Sequence, residues 1–219
     1  MAQGYIKAIE LPQVIPVFPL PGSILLSRGQ LPLNVFEPRY LNMVDDAMAG
    51  DRIIGLIQPL TGASGPQPPL ARVGCAGRIT SFNETSDGRY LITLTGICRF
   101  NVTGELQVKT PYRQVRADFA AFEADLRAPD PAAEFDRHGF LDALRPYLEH
   151  RGLNVDWDTA EAAPQEALIN SLAMALPFEP PEKQALLEAQ TLEARAEALT
   201  ALLRIEAAAS DDDDGPAMQ

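Results

Sequence analysis

Five prolines, Pro16, Pro19, Pro21, Pro32 and Pro38, cut the stretch from Ile15 to Tyr40 (IPVFPLPGSILLSRGQLPLNVFEPRY) into apolar runs that suit short strands. Each proline removes a backbone donor, so a strand that carries one belongs at an edge or a bulge, and a helix that carries one starts there or is broken. Val14 to Phe18 and Ile24 to Leu26 read as short strands around a turn at Pro19, Pro21 and Gly22. Leu31, Leu33 and Val35 alternate with Pro32 and Asn34, the period of a strand with one buried face, and Pro32 places that strand at an edge or bulge. Phe36 continues the apolar surface. Pro38 suits the first turn of a helix, with Tyr40, Leu41, Val44 and Met48 at helical spacing and Gly50 as its stop.

The strand pattern continues to about residue 119. Arg52 to Gln58 (RIIGLIQ) is a hydrophobic strand, and the following PLTGASGPQPPLA is too rich in glycine and proline for regular structure, so an exposed, mobile loop is expected. Val73 to Phe82 and Arg89 to Leu94 are strand-like and joined through Asp87-Gly88, a hairpin signal. Gly96 permits a sharp bend before a further strand, Ile97 to Val102, and Tyr112 to Phe119 gives the last. Six or more short strands with one early helix imply a closed or nearly closed β-barrel or a pair of small sheets.

The second part changes period. Phe135, Phe140, Leu141, Leu144 and Leu148 form a helical stripe that Gly152 ends, and Pro146 is expected to kink or split it. Asp158 or Thr159 caps a next helix carrying Leu168, Ile169, Leu172, Ala175 and Leu176, which Pro177 ends. A third helix begins near Pro180, and Thr191 caps a last one with Leu192, Leu199, Leu202 and Leu203. The charge divides at the same place: residues 1–118 hold 11 Lys and Arg against 9 Asp and Glu, residues 119–219 hold 7 against 21. The expected organisation is α+β: a barrel subdomain over 1–120, a linker over 121–130, a helical subdomain over 131–208 and a disordered acidic tail over 209–219.

The Phe36-Glu37-Pro38-Arg39-Tyr40 cluster and the proline-cut strands before it resemble the N-terminal, substrate-binding domain of the Lon class of ATP-dependent proteases. Val73-Gly74, Asp87-Gly88-Arg89-Tyr90, Gly96 with Arg99-Phe100, and Pro111-Tyr112 are similar to that family's recurring signatures and stand in the same order. Leu176-Pro177, Glu182-Lys183-Gln184 with Leu187-Glu188, and Arg195 with Leu199 resemble its helical part, so the likeness runs over about residues 12 to 207. Cys75 and Ala76 depart from the small hydroxyl and apolar residues common there. The resemblance implies a PUA-like pseudo-barrel followed by a helical bundle, and a non-enzymatic module that captures unfolded or apolar polypeptide in association with a protease. On that reading Leu31, Leu33, Phe36 and Tyr40, with the 60s loop, are the candidate polypeptide surface, although the same residues suit a core. Glu37, Pro38, Arg39 and Arg99 are structural, with Glu37 and Arg39 tying the helix to the sheet.

The residues needed for catalysis in that class are not recognisable. A phosphate loop G-x-x-x-x-G-K-[ST] needs a Gly-Lys step and the chain has none. The lysines are Lys7, Lys109 and Lys183, none in a context that resembles a serine–lysine protease segment, and Lys183 is expected on a solvent-facing helix. His138 and His150 lack the i, i+4 spacing of a helical zinc pair, so no metal or cofactor is expected. Cys75 and Cys98 suit two reduced core thiols. No run approaches the roughly 18 apolar residues of a membrane span, and the N-terminus lacks a signal peptide pattern, so a cytoplasmic protein with no membrane partner is expected. Two other classes stay open. RNA binding rests on Arg72, Arg78, Arg89 and Arg99 and is opposed by the acidic second part, and an enzymatic or small-ligand site rests on a cleft carboxylate such as Glu37.

Overall fold

In the computed structural model, which describes residues 4–60, 67–129 and 135–213, the strands close on themselves. They are β1 (Val14–Pro19), β2 (Gln30–Val35), β3 (Ile53–Pro59), β4 (Leu70–Glu84), β5 (Tyr90–Glu105) and β6 (Arg113–Asp118). The order β2-β5-β4-β3-β1-β6, with a further pairing of β5 to β6, makes a ring of β1, β3, β4, β5 and β6. The length of β5 allows this: residues 90–95 pair with β2 and residues 101–105 with β6. β1 and β3 are parallel, and α1 (Pro38–Ala49) lies on the connection between them. β3 is buried along all but its last residue, as expected of a strand covered on both faces. Glycines make room inside: a Cβ on Gly55 or Gly74 would come within 2.9 or 2.7 Å of the Phe100 ring.

Several expectations change at the residue level. Ile24, Leu25 and Leu26 are buried but form no strand. Gly96 makes no bend that ends a strand; β5 runs through it, and a Cβ there would stand 2.0 Å from the Leu26 carbonyl oxygen. The glycine is therefore needed for close backbone approach rather than for a turn. Pro38 and Gly50 do bound α1, and Pro32 lies on β2, which pairs with one strand only among the described residues. Residues 61–66 of the expected loop lie outside the described residues.

Helices follow the strands: α2 (Arg137–His150), α3 (Trp157–Ala162), α4 (Gln165–Ala175), α5 (Pro180–Glu188) and α6 (Leu192–Asp213). α2 is one helix across Pro146, since the carbonyl that proline leaves unbonded belongs to exposed Asp142. The cap of α3 is Asp156, which accepts from the Thr159 N–H at 3.2 Å, and α4 begins separately. Thr191 Oγ1 accepts from Ala194 N–H at 3.1 Å at the start of α6. That helix reaches Asp213, so the acidic run is helical to that point and only 214–219 lie outside the described residues.

The chain divides into two compact units, residues 1–129 with 174–188, and residues 130–173 with 189–219. The stretch expected as one helical subdomain over 131–208 is thus shared, because α5 joins the strand unit. Gln184 Nε2 donates to Val73 O at 3.1 Å, and Gln58 Nε2 donates to Pro180 O and to Gln184 Oε1, each at 3.0 Å. In the helical unit Phe140, Leu144, Tyr147, Leu168, Ile169, Leu199 and Leu203 are buried together with Arg195, whose guanidinium donates to Asn170 Oδ1 at 2.9 Å.

Candidate functional site

The proline spacing that ends β1 and β3 also builds a concave surface. Pro19 and Pro59 close two neighbouring parallel strands, Pro68 and Pro69 precede β4, and Pro111 precedes β6, and all five line one groove of about 820 Å³. A wall of prolines is rigid and offers no N–H donors, so it presents apolar surface at little entropic cost. Leu106 and Val108 extend it, and Val108 is 38 % exposed.

Two charged side chains in the groove are already neutralised. Arg113 donates through Nε and Nη2 to both oxygens of Glu105, each at 2.6 Å, and through Nη1 to Pro68 O at 2.7 Å. The paired guanidinium holds the Glu105 carboxyl below the usual carboxylate range. Arg39 is bound to Glu37 at 2.7 Å and lies 4.5 Å over the Tyr40 ring. Tyr112 donates its hydroxyl to Asp46 at 2.6 Å, and burial together with that bond pushes the phenol up to about 12. The polar groups left available are the Tyr40 hydroxyl and the carboxamides of Gln67 and Gln107, none of which is hydrogen-bonded among the described residues. A carboxamide carries a donor and an acceptor together, the complement of a peptide unit.

Of the residues singled out from sequence, Tyr40 lines this groove, its ring 4.3 Å from that of Phe18. Leu31 and Leu33 are half-buried on β2 opposite Leu94 and Ile92, and Phe36 is 63 % exposed beyond the strand; none of the three lines the groove. Glu37 and Arg39 form an exposed pair at the start of α1. Arg99 is buried, bonded to Asp125 through Nε and Nη2 at 2.9 Å each and to Leu187 O at 3.0 Å, with its guanidinium 4.4 Å over Phe122. The sequence reading missed Gln107, Val108 and Arg113; the recurrence of proline at 59, 68, 69 and 111 was the available signal.

Two of the four arginines set aside for RNA, Arg99 and Arg89, hold no free charge. Arg99 is buried and paired, and Arg89 is bound to Asp87 at 2.6 Å. Lys183 is not on a solvent face: it is 2 % exposed, donates to Met174 O at 2.7 Å, and burial lowers its ammonium to about 8. It shares a helical face with Leu186 and Leu187, and the spacing of three and four residues carries it inward with them. His138 and His150 are exposed, and no group of three or more metal-ligating side chains occurs among the described residues. Cys75 and Cys98 are free and buried on paired strands, and burial pushes the Cys98 thiol up. No helix among the described residues is long and apolar enough to cross a membrane.

Comparison with known proteins agrees with this architecture. A solved Lon N-terminal domain protein from Xanthomonas campestris superimposes with a TM-score of 0.62 at 26 % identity, covering 87 % of this chain and 98 % of that one. The N-terminal domain of a Mycobacterium avium complex Lon protease superimposes with a TM-score of 0.60 at 16 % identity over 87 % of this chain and 97 % of that one, a likeness of fold. Lon protease 2 of Myxococcus xanthus is 30 % identical over 118 residues, which are 52 % of this chain and 14 % of that protein. The Lon protease of Syntrophus aciditrophicus (strain SB) is 27 % identical over 129 residues, 57 % of this chain and 16 % of that one, so the chain corresponds to a small part of these relatives. The model of the ATP-dependent protease La (LON) substrate-binding domain matches residues 14–204, and the chain belongs to that family.

Proposed function

We propose that the chain is a non-catalytic recognition module that binds unfolded, apolar-rich polypeptide in the proline-walled groove and presents it for ATP-dependent proteolysis, in the cytoplasm. The observation that carries this reading is the combination in one groove of five prolines, Leu106 and Val108 with the free amides of Gln67 and Gln107. The proline, Leu106 and Val108 faces, set in an otherwise polar lining, take apolar side chains by area burial, and the carboxamides meet main-chain groups that every polypeptide has. Because Arg113 and Arg39 are neutralised by Glu105 and Glu37, the contact has little net charge to be screened. The same reading takes the closed ring of strands as a PUA-like pseudo-barrel, supported by the β5–β6 closure.

The test is binding of a reduced, unfolded apolar-rich polypeptide and of a mixed RNA pool to the full chain at 50 and 500 mM salt. Polypeptide binding that changes less than about threefold with salt, and falls at least fivefold in Val108→Asp and Gln107→Ala, is expected. Salt-labile RNA binding without polypeptide binding overturns the reading. Polypeptide binding that ignores both substitutions moves the site elsewhere, with Leu31, Leu33 and Phe36 on β2 as the next surface.

A further inference from the structure

The sheet portion formed by β2, β5 and β4 has two outer edges, and they are finished differently. At β2, Gly96 N–H donates to Gly29 O at 2.8 Å, so residues 31, 33 and 35 bond to β5 while 30, 32 and 34 face outward. Pro32 stands in the middle of that outward row without a donor, one of the ways by which an edge is protected from pairing. β4 ends differently. Ile79 N–H donates to Arg52 O at 2.8 Å as its last bond towards β3, the register shifts between Ile79 and Ser81, and Thr85 N–H donates to Arg89 O at 2.9 Å. The odd-numbered residues past the bulge therefore bond to β5, and Phe82 and Glu84 aim N–H and C=O outward, with no strand beside them among the described residues. Residues 80–84 (TSFNE) are all exposed, Phe82 at 39 %, and hold neither proline nor lysine.

We propose that this edge is a homodimer interface, in which β4 pairs antiparallel with β4 of a second copy, Phe82 of each opposite Glu84 of the other and Asn83 opposite Asn83 on the two-fold axis. Three features favour a second copy as the occupant. The outward donors and acceptors of Phe82 and Glu84 are fully satisfied by their own two-fold image, as an isologous contact requires. The register sets Glu84 against the uncharged Phe82, so no like charges stand directly opposed. Pairing also gives a continuous sheet β2-β5-β4-β4-β5-β2, which ends on both sides in the strand that carries Pro32, whereas a foreign strand would add an edge of its own. This surface is separate from the groove and does not depend on the function proposed for it.

Sedimentation equilibrium of the full chain over a wide concentration range is expected to show the mass rising from 23.8 kDa towards twice that value. Glu84→Pro removes an outward N–H and no ladder bond, and is expected to weaken association at least tenfold, with Phe82→Pro acting alike. Should either variant misfold by circular dichroism, cross-linking decides. Directly opposed residues of a non-hydrogen-bonded antiparallel pair have Cα atoms about 4.5 Å apart, within disulfide reach. Asn83→Cys is expected to form a disulfide-linked dimer on mild oxidation at least tenfold faster than Ser81→Cys. A monomer at every concentration with no preferential Asn83→Cys cross-link overturns the proposal, as does a dimer that is indifferent to Glu84→Pro. Hydrogen-exchange protection of the Phe82 and Glu84 amides that follows added unfolded polypeptide rather than protein concentration also overturns it, and gives the edge to a foreign strand.

Discussion

At the scale of the residue, the buried charges set the sharpest expectations. Asp125 takes three bonds from Arg99, two from the guanidinium and one from its backbone N–H at 3.0 Å. Burial pushes the carboxyl up, yet the guanidinium outweighs it and the net position is below the usual range. A depressed carboxyl contributes stability that is present above its unfolded value, about 3.9, and is lost as pH falls through the folded one. The urea midpoint is therefore expected to fall as pH drops from 5 towards 3, less steeply in Asp125→Asn, and Asp125→Ala, which strands Arg99, is expected to cost about 3–5 kcal/mol at pH 7. Lys183 is depressed as well, but there the fold disfavours the charged form. Its folded value, about 8, lies under its unfolded one, so the cost of a buried ammonium is present in full below pH 8 and is relieved as pH climbs towards the ordinary value of about 10.4. Between pH 8 and 10 the wild type is expected to gain denaturant stability relative to Lys183→Met; parallel pH profiles for the two would contradict this.

At the scale of the element, β2 shows what a proline at an edge does. Pro32→Val restores an N–H to the middle of the outward row and leaves Leu31, the new valine and Leu33 as a consecutive apolar run on an edge with every donor in place. Faster aggregation on gentle heating, read by light scattering and thioflavin fluorescence, is expected, with the monomer's far-ultraviolet spectrum unchanged. Pro32 was legible because a missing donor has the same meaning in any sheet, and α1 was legible because Pro38 and Gly50 mark its ends locally. Gly96 was not. Its role depends on the Leu26 carbonyl, seventy residues away in sequence, and a strand-breaking bend and a close backbone approach look alike in one dimension. Gly96→Ala, which must displace that carbonyl, is expected to cost about 3 kcal/mol or more. The groove was half legible for a similar reason. Tyr40 belongs to the helix that the sequence announces, whereas Gln107, Val108 and Arg113 come from a connection and a strand start that only ring closure brings opposite it.

At the scale of the whole molecule, composition and period place a boundary near residue 120, but the strand unit does not end there. α5, later in the chain, belongs to it, burying Leu186 and Leu187 at 0 and 1 % exposure and supplying the Leu187 carbonyl that Arg99 requires. Two leucines buried from water are worth roughly 3–6 kcal/mol, comparable with the 5–15 kcal/mol by which domains are ordinarily stable. A fragment of residues 1–129, which the change of period recommends as a domain, is thus expected to expose that surface, leave Arg99 short of an acceptor, bind a hydrophobic dye and melt without a cooperative transition. Joining residues 174–188 to its end through a flexible glycine–serine linker long enough to span the gap should restore a single transition and abolish dye binding. The helices between need not be present, because the bonds α5 makes with the strand unit, from Gln58 and Gln184 to Val73 and Arg99, lie wholly within that unit. If 1–129 alone melts as sharply as the linked chain, α5 is a passenger on the barrel; if the linked chain alone does so, a helix read from sequence as part of the second subdomain completes the core of the first.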